Sequence, residues 1–181
     1  MVPSAAGARI VEMRRLVLEE IGLDRLTAAL AQLPEAMRRE YLEATAVSWV
    51  ACATEYAVHD AIAHAIGEDE LQLHDRLLRA AMEKSFKTVW RLLLRFTSDE
   101  ALIARTPIIY AKTRNVGRLT ARSPARNKAE IILSSYPHCG FRDVRAIGVG
   151  LEAALRLTGR KDVRLHHTMR PDGALYLAEW R

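Results

Sequence analysis

The chain reads as an α+β protein, with a helical N-terminal half packed with a four-stranded antiparallel sheet of β-β-α-β-β order in its C-terminal third. Three observations carry this. Apolar residues recur every three or four positions across most of residues 8–96, the period of an amphipathic helix. Beyond Pro107 the period drops to two in several short runs, as in half-buried strands. Two of those runs are joined by Arg170-Pro171-Asp172-Gly173, strong hairpin chemistry. The 181 residues suit one domain, 1–106 helical and 107–181 carrying the sheet and one helix. Half of the residues are hydrophobic, enough to bury a core without disulfides, which excludes a disordered chain.

Ile10, Met13, Leu16, Val17 and Ile21 share one face, so 8–21 is expected to be a helix that Gly22 ends. Asp24 is a candidate N-cap for a short helix over 25–33. Pro34 and Glu35 suit the first turn of the next, which runs into Leu42. Thr45 or Ser48 opens a longer helix through Ile66, with Trp49, Cys52, Ala53, Tyr56 and Ala63 near one stripe and many alanines suited to close helix–helix approach. Gly67 closes it. Residues 68–96 are the longest periodic segment, repeating Leu71, His74, Leu78, Met82, Phe86, Val89 or Trp90, and Leu93. Ser98 then starts a short helix to Arg105.

Pro107 marks the change of texture, and 108–112 reads as extended. In 117–122, Leu119 and Ala121 alternate with Arg118, Thr120 and Arg122. Ser123-Pro124 and Arg126-Asn127 are turn chemistry. A second strand, 129–134, turns Ile131 and Leu133 inward. Val144, Ile147, Leu151 and Leu155 restore helical spacing over 141–157. Gly148 and Gly150 inside that helix each cost about 1 kcal/mol relative to alanine, which close packing on the sheet would explain. Gly159 is a C-cap, and 162–169 and 174–180 are the last two strands.

Several of these residues carry a resemblance: Gly22 before a leucine-rich helix, Leu33-Pro34, Ser48-Trp49, Phe86 with the leucines at 92–94, Arg105-Thr106-Pro107, Gly117, the stretch from Gly148 to Leu155, Gly159 before Val163, and Glu179-Trp180. The chain resembles uncharacterised myxobacterial proteins of about this length, distant relatives of the 4-vinyl-reductase-like domains. Trafficking-complex subunits that bind an acyl chain and dimerise belong to that wider group, and haem-based nitric-oxide sensors are similar in outline. The resemblance implies a helical cap on a four-stranded antiparallel sheet, and a small-molecule-binding or scaffolding role without catalysis. The matching positions are packing and turn residues, so no site residue carries over. The Tyr-x-Ser-x-Arg contact to haem propionates in the sensors is absent from this sequence.

Charge is the sharpest functional clue. The net +5 is uneven: residues 1–100 carry 12 bases and 16 acids, whereas 101–129 carry seven bases and no acid. Of those seven, Lys112, Arg114, Arg118, Arg122, Arg126 and Lys128 form a candidate anion-binding set, because guanidinium groups in a row each grip two oxygens of a phosphate or carboxylate. A nucleic acid or acidic protein would be the partner. A solvated strand face that keeps a sheet edge soluble explains the same residues. Single-strand stacking is not indicated, since Tyr110 is the only aromatic residue among them.

The histidines form no obvious metal set. His59 and His64 are five apart, Glu55 and His59 are i, i+4 as a surface pair would be, and His166-His167 on a strand point to opposite faces. His74 lies in an apolar stripe; a haem ligand looks like this, and so does the commoner core histidine. His138 beside Cys139 is the one hint of a reactive thiol. Cys52 and Cys139 are otherwise expected to be reduced thiols of a cytoplasmic protein. Met1 to Gly7 lack the parts of a signal peptide, and Glu55, His59, Asp60 and His64 interrupt the 44–66 run, against a membrane span. The reading is therefore a non-enzymatic sensory or scaffold module with no cofactor and no metal. It self-associates and binds a partner protein or a small apolar or amphipathic ligand, with Trp49, Tyr56, His74, Phe86 and Trp90 as candidate pocket residues.

Overall fold

A computed structural model gives the fold and describes residues 1–85 and 98–181. The chain forms two compact units, one of Met1–Ala81 with Thr113–Asn115, the other of Met82–Lys112 with Val116–Arg181.

The first unit is mainly helical: β1 (Ser4–Ala6), α1 (Gly7–Leu30), α2 (Glu35–Leu42), β2 (Trp49–Ala51), α3 (Cys52–Ile66) and α4 (Glu70–Ser85). The break expected at Gly22 is a kink inside α1, where Gly22 takes φ 77°, a conformation that costs glycine little. Pro34 caps α2, and its carbonyl accepts from the Met37 and Arg38 amides. The helix expected from residue 45 or 48 begins later. Trp49–Ala51 is a strand paired antiparallel with Ser4–Ala6, so Trp49 is 45% exposed rather than on a helical stripe. Gly67 closes α3 as expected.

The second unit holds α5 (Asp99–Ala111), β3 (Arg118–Arg122), β4 (Lys128–Ser134), α6 (Phe141–Leu157), β5 (Arg164–Arg170) and β6 (Gly173–Glu179). Ser98 caps α5 by accepting from the Ala101 amide at 3.2 Å. Contrary to the extended reading of 108–112, α5 continues through Pro107 to Ala111. Proline removes one backbone donor, and the Thr106 hydroxyl bonds back to the Leu102 carbonyl. The four strands form one antiparallel sheet, as the sequence predicts, and their order in it is β3-β4-β6-β5. Leu119, Ile131, Leu133, Ala174, Tyr176 and Ala178 turn inward and are buried with Val144, Ile147 and Leu155 of α6. Arg118, Thr120 and Arg122 face out.

The two glycines of α6 differ. A Cβ on Gly148 would meet Leu165 at 3.3 Å and Tyr176 at 3.5 Å, whereas Gly150 has nothing within 4 Å. Close packing on the sheet therefore accounts for Gly148 alone. Among the described residues no helix is long and apolar enough to cross a membrane.

Candidate functional site

Three hydrogen bonds, to Pro3 and to both oxygens of Glu40, fix the start of α3. The Cys52 amide donates to the Pro3 carbonyl at 2.8 Å, the Ala51 amide to Glu40 Oε1 at 2.8 Å, and the Thr54 hydroxyl to Glu40 Oε2. This sets the rotation of the helix and turns Cys52, Glu55, Val58, His59 and Ile62 into the interior. Residues Thr113–Asn115 lie along β1: Ala6 N donates to Thr113 O at 3.1 Å, and Ser4 N to Asn115 Oδ1 at 2.7 Å. That pairing drives Arg114 inward, where it is 4% exposed.

Glu55 is the hub. It is fully buried, and its Oε2 pairs with Arg9 of α1, with Arg114 Nη1 3.8 Å away. His74 Nε2 of α4 lies 3.2 Å from Glu55 Oε1. The His74 ring packs edge-on against Tyr56 at 5.4 Å and tilts against His59 at 5.1 Å. Arg114 also donates to Cys52 Sγ at 2.9 Å. Burial pushes the Glu55 carboxyl up, but Arg9, then His74 and Arg114, overcome it and hold it well below the usual carboxylate range. Burial, and next Arg114, pull the Arg9 guanidinium below its ordinary value against the pull of Glu55. One oxygen of Glu55 and one ring nitrogen each of His59 and His74 lie within 4.8 Å of one another.

Of the expected pocket residues, Tyr56 and His74 meet here, Trp49 stands exposed on β2, and Phe86 and Trp90 lie outside the described residues. The basic set is dispersed. Arg114 is buried in the first unit. Lys112, Arg118 and Arg126 are exposed on the second. Arg122 is bidentate to Glu130 at 2.9 and 3.0 Å, and Lys128 pairs with Glu179 at 2.6 Å. His138 is exposed with φ 57°, and Cys139 is half-buried just ahead of the Gly140 cap of α6. His166 is exposed, while His167 lies half-buried between Phe141 and Tyr176. The Glu55 cluster is what sequence reasoning missed. The i, i+4 spacing of Glu55 and His59 was its signal, but a pairing with a third ligand fifteen residues beyond His59 is not local.

A helical part and a four-stranded antiparallel sheet with one helix between its strand pairs make up an α+β fold that solved structures share. The solved structures identify it as the H-NOX fold. An unliganded Fe(II) H-NOX protein from K. algicida is 14% identical with TM-score 0.66, over 97% of this chain and 96% of that one. An S. oneidensis H-NOX protein in its Fe(II)NO state is 10% identical with TM-score 0.70, over 97% and 99%. A variant of T. tengcongensis H-NOX is 9% identical with TM-score 0.65, over 97% of each chain. A further matching structure is described in terms of haem redox potential and porphyrin distortion. No known protein family matches the chain by sequence, and no curated protein does. These matches overturn the expected kinship with 4-vinyl-reductase-like and trafficking-complex domains. Those of the quoted residues that the structure describes are mostly helix stops, turns and packing positions, which other α+β folds also need.

Proposed function

We propose that this chain is a non-enzymatic sensory module that uses the H-NOX fold without a histidine-ligated haem and passes its state to a partner protein. The observation that carries the sensory part is correspondence to H-NOX structures over nearly the whole of both chains. Fold likeness alone does not transfer a ligand, which has to be argued from the site.

Haem does not fit the residues present. An axial ligand must offer a lone pair to the iron. The chain has six histidines. His59 and His74 are committed to the Glu55 cluster in the interior of the first unit. His64, His138 and His166 stand on the surface, and His167 is wedged between two aromatic rings. Neither α5 nor residues 86–97 contain a histidine. Among the described residues, Glu55 and His59 are fully buried, which favours a sensory over a catalytic reading.

The output surface is the outer sheet face. The register brings Ile132 beside Leu175, with Leu177 next along β6 and 48% exposed. Arg118, Arg122, Arg164, Arg170 and Lys128 surround this apolar strip, and of the acids there Glu130 and Glu179 are already paired. An apolar centre with a basic rim fits an acidic protein. The haem claim is tested by the absorption spectrum and haem content of the chain purified from haem-replete cells. The expected result is no Soret band at one haem per chain. A stoichiometric haem whose ferrous band shifts with NO would overturn it.

A further inference from the structure

We propose that Glu55, His59 and His74 form a binding site for one divalent transition-metal ion, with Zn²⁺ as the reference ion. The donor set is two imidazoles and a carboxylate, the borderline ligands that Zn²⁺ and its neighbours prefer. Glu55 and His59, four apart on α3, share a face, and α4 returns His74 to it after the Gly67 turn. Facing helices commonly build metal sites in this way. With bonds near 2.1 Å, donors around a tetrahedral ion sit about 3.4 Å apart. Glu55 Oε1 and His74 Nε2 already stand at 3.2 Å, and the whole set lies within 4.8 Å, so side-chain rotation of about an ångström closes it.

The arginines set the character of the site. Arg9 and Arg114 hold the far oxygen of Glu55, the position of an outer shell that orients a ligating carboxylate. They also place two positive charges against one negative before any ion arrives. Ion and guanidinium groups therefore compete for one carboxylate. Binding is weaker than the donor set alone would give, and occupancy loosens the ties from Glu55 to α1 and to Thr113–Asn115. Arg114 keeps an alternative acceptor in Cys52 Sγ. The binding rests on this geometry alone; its use as a signal rests on the sensory reading above.

The test is equilibrium dialysis of the tag-free, metal-stripped chain against Zn²⁺ and Co²⁺, with the visible bands of Co²⁺ as a report on coordination. The expected result is one ion per chain, with Zn²⁺ displacing Co²⁺. His59→Ala, His59→Gln and His74→Ala, checked for folding by circular dichroism, should each lose about tenfold or more in affinity. Arg9→Gln should tighten binding, because it removes a competitor for Glu55; a purely structural cluster would show no such gain. His166→Ala with His167→Ala should change nothing. No bound ion in the wild-type chain overturns the proposal, as does binding that survives the His59 and His74 changes or is lost with His166 and His167. A parallel hemin arm keeps the two readings separate: haem uptake refutes the haem-free reading, and absence of Zn²⁺ binding refutes only the metal site.

Discussion

Replacing Glu55 by glutamine keeps the shape of the side chain and removes its charge. Glu55 is fully buried, the Arg114 side chain is 2% exposed and that of Arg9 12%, so water cannot take over the lost partner. Two guanidinium groups are then left near one another with no carboxylate between them. Removing one member of a buried ion pair costs about 3–5 kcal/mol. For a chain of this size that lowers the melting temperature by roughly 2–4 °C per kcal/mol, or about 6–20 °C in all. The exposed Arg122–Glu130 pair, with Arg122 71% exposed, gives the contrasting scale, since such pairs are worth about 1 kcal/mol or less. Urea and thermal unfolding of the metal-stripped protein, followed by far-ultraviolet circular dichroism, measure the difference. The sign with pH is also fixed. The folded Glu55 carboxyl titrates below its unfolded value, so its contribution is present above the ordinary glutamate pKa and lost as the pH falls through the depressed one. Glu55→Gln should flatten that acid limb, and adding Arg9→Gln should recover part of the loss. A Glu55→Gln protein within about 0.5 kcal/mol of wild type, the range of ordinary surface changes, would refute this account of the cluster.

Two further substitutions test packing. Gly150→Ala should stabilise α6 by up to about 1 kcal/mol through helix propensity, while Gly148→Leu should cost about 1–3 kcal/mol by overpacking against Leu165 and Tyr176; the midpoint of urea unfolding reads both. Tyr41 is fully buried, and its hydroxyl makes no hydrogen bond among the described residues. Tyr41→Phe should therefore leave stability unchanged or raise it by about 1 kcal/mol, and the Arg14 guanidinium 5.9 Å above the ring should stay in place.

Much of the second unit was legible because its signals are local. The apolar spacing of 141–157 matches the observed bounds of α6, whose C-cap is Thr158, one residue before the expected Gly159, and alternation in 117–122 assigned Leu119 to the core and the arginines to the outer face. What could not be read depends on partners far along the chain. Three-residue strands carry no periodicity, so the pairing of Ser4–Ala6 with Trp49–Ala51 left no trace in either segment. That pairing, together with Thr113–Asn115 along the same strand, is what buries Arg114. In sequence Arg114 looks like one more member of a basic run, and only a carboxylate 59 positions earlier explains it. Pro107 misled because proline usually ends a helix, whereas here α5 tolerates the missing donor. The Glu55 cluster was half visible as an i, i+4 pair, but burial, which separates a surface pair from a buried polar centre, is a tertiary property.

A hemin titration of the purified chain most directly tests the proposal that this H-NOX fold senses without a histidine-ligated haem. The expected result is weak, unsaturated binding with a spectrum that is unchanged in His74→Ala and does not respond to NO in the ferrous state. Saturation at one hemin per chain, with an NO-sensitive ferrous spectrum lost on replacing a single histidine, would contradict the account.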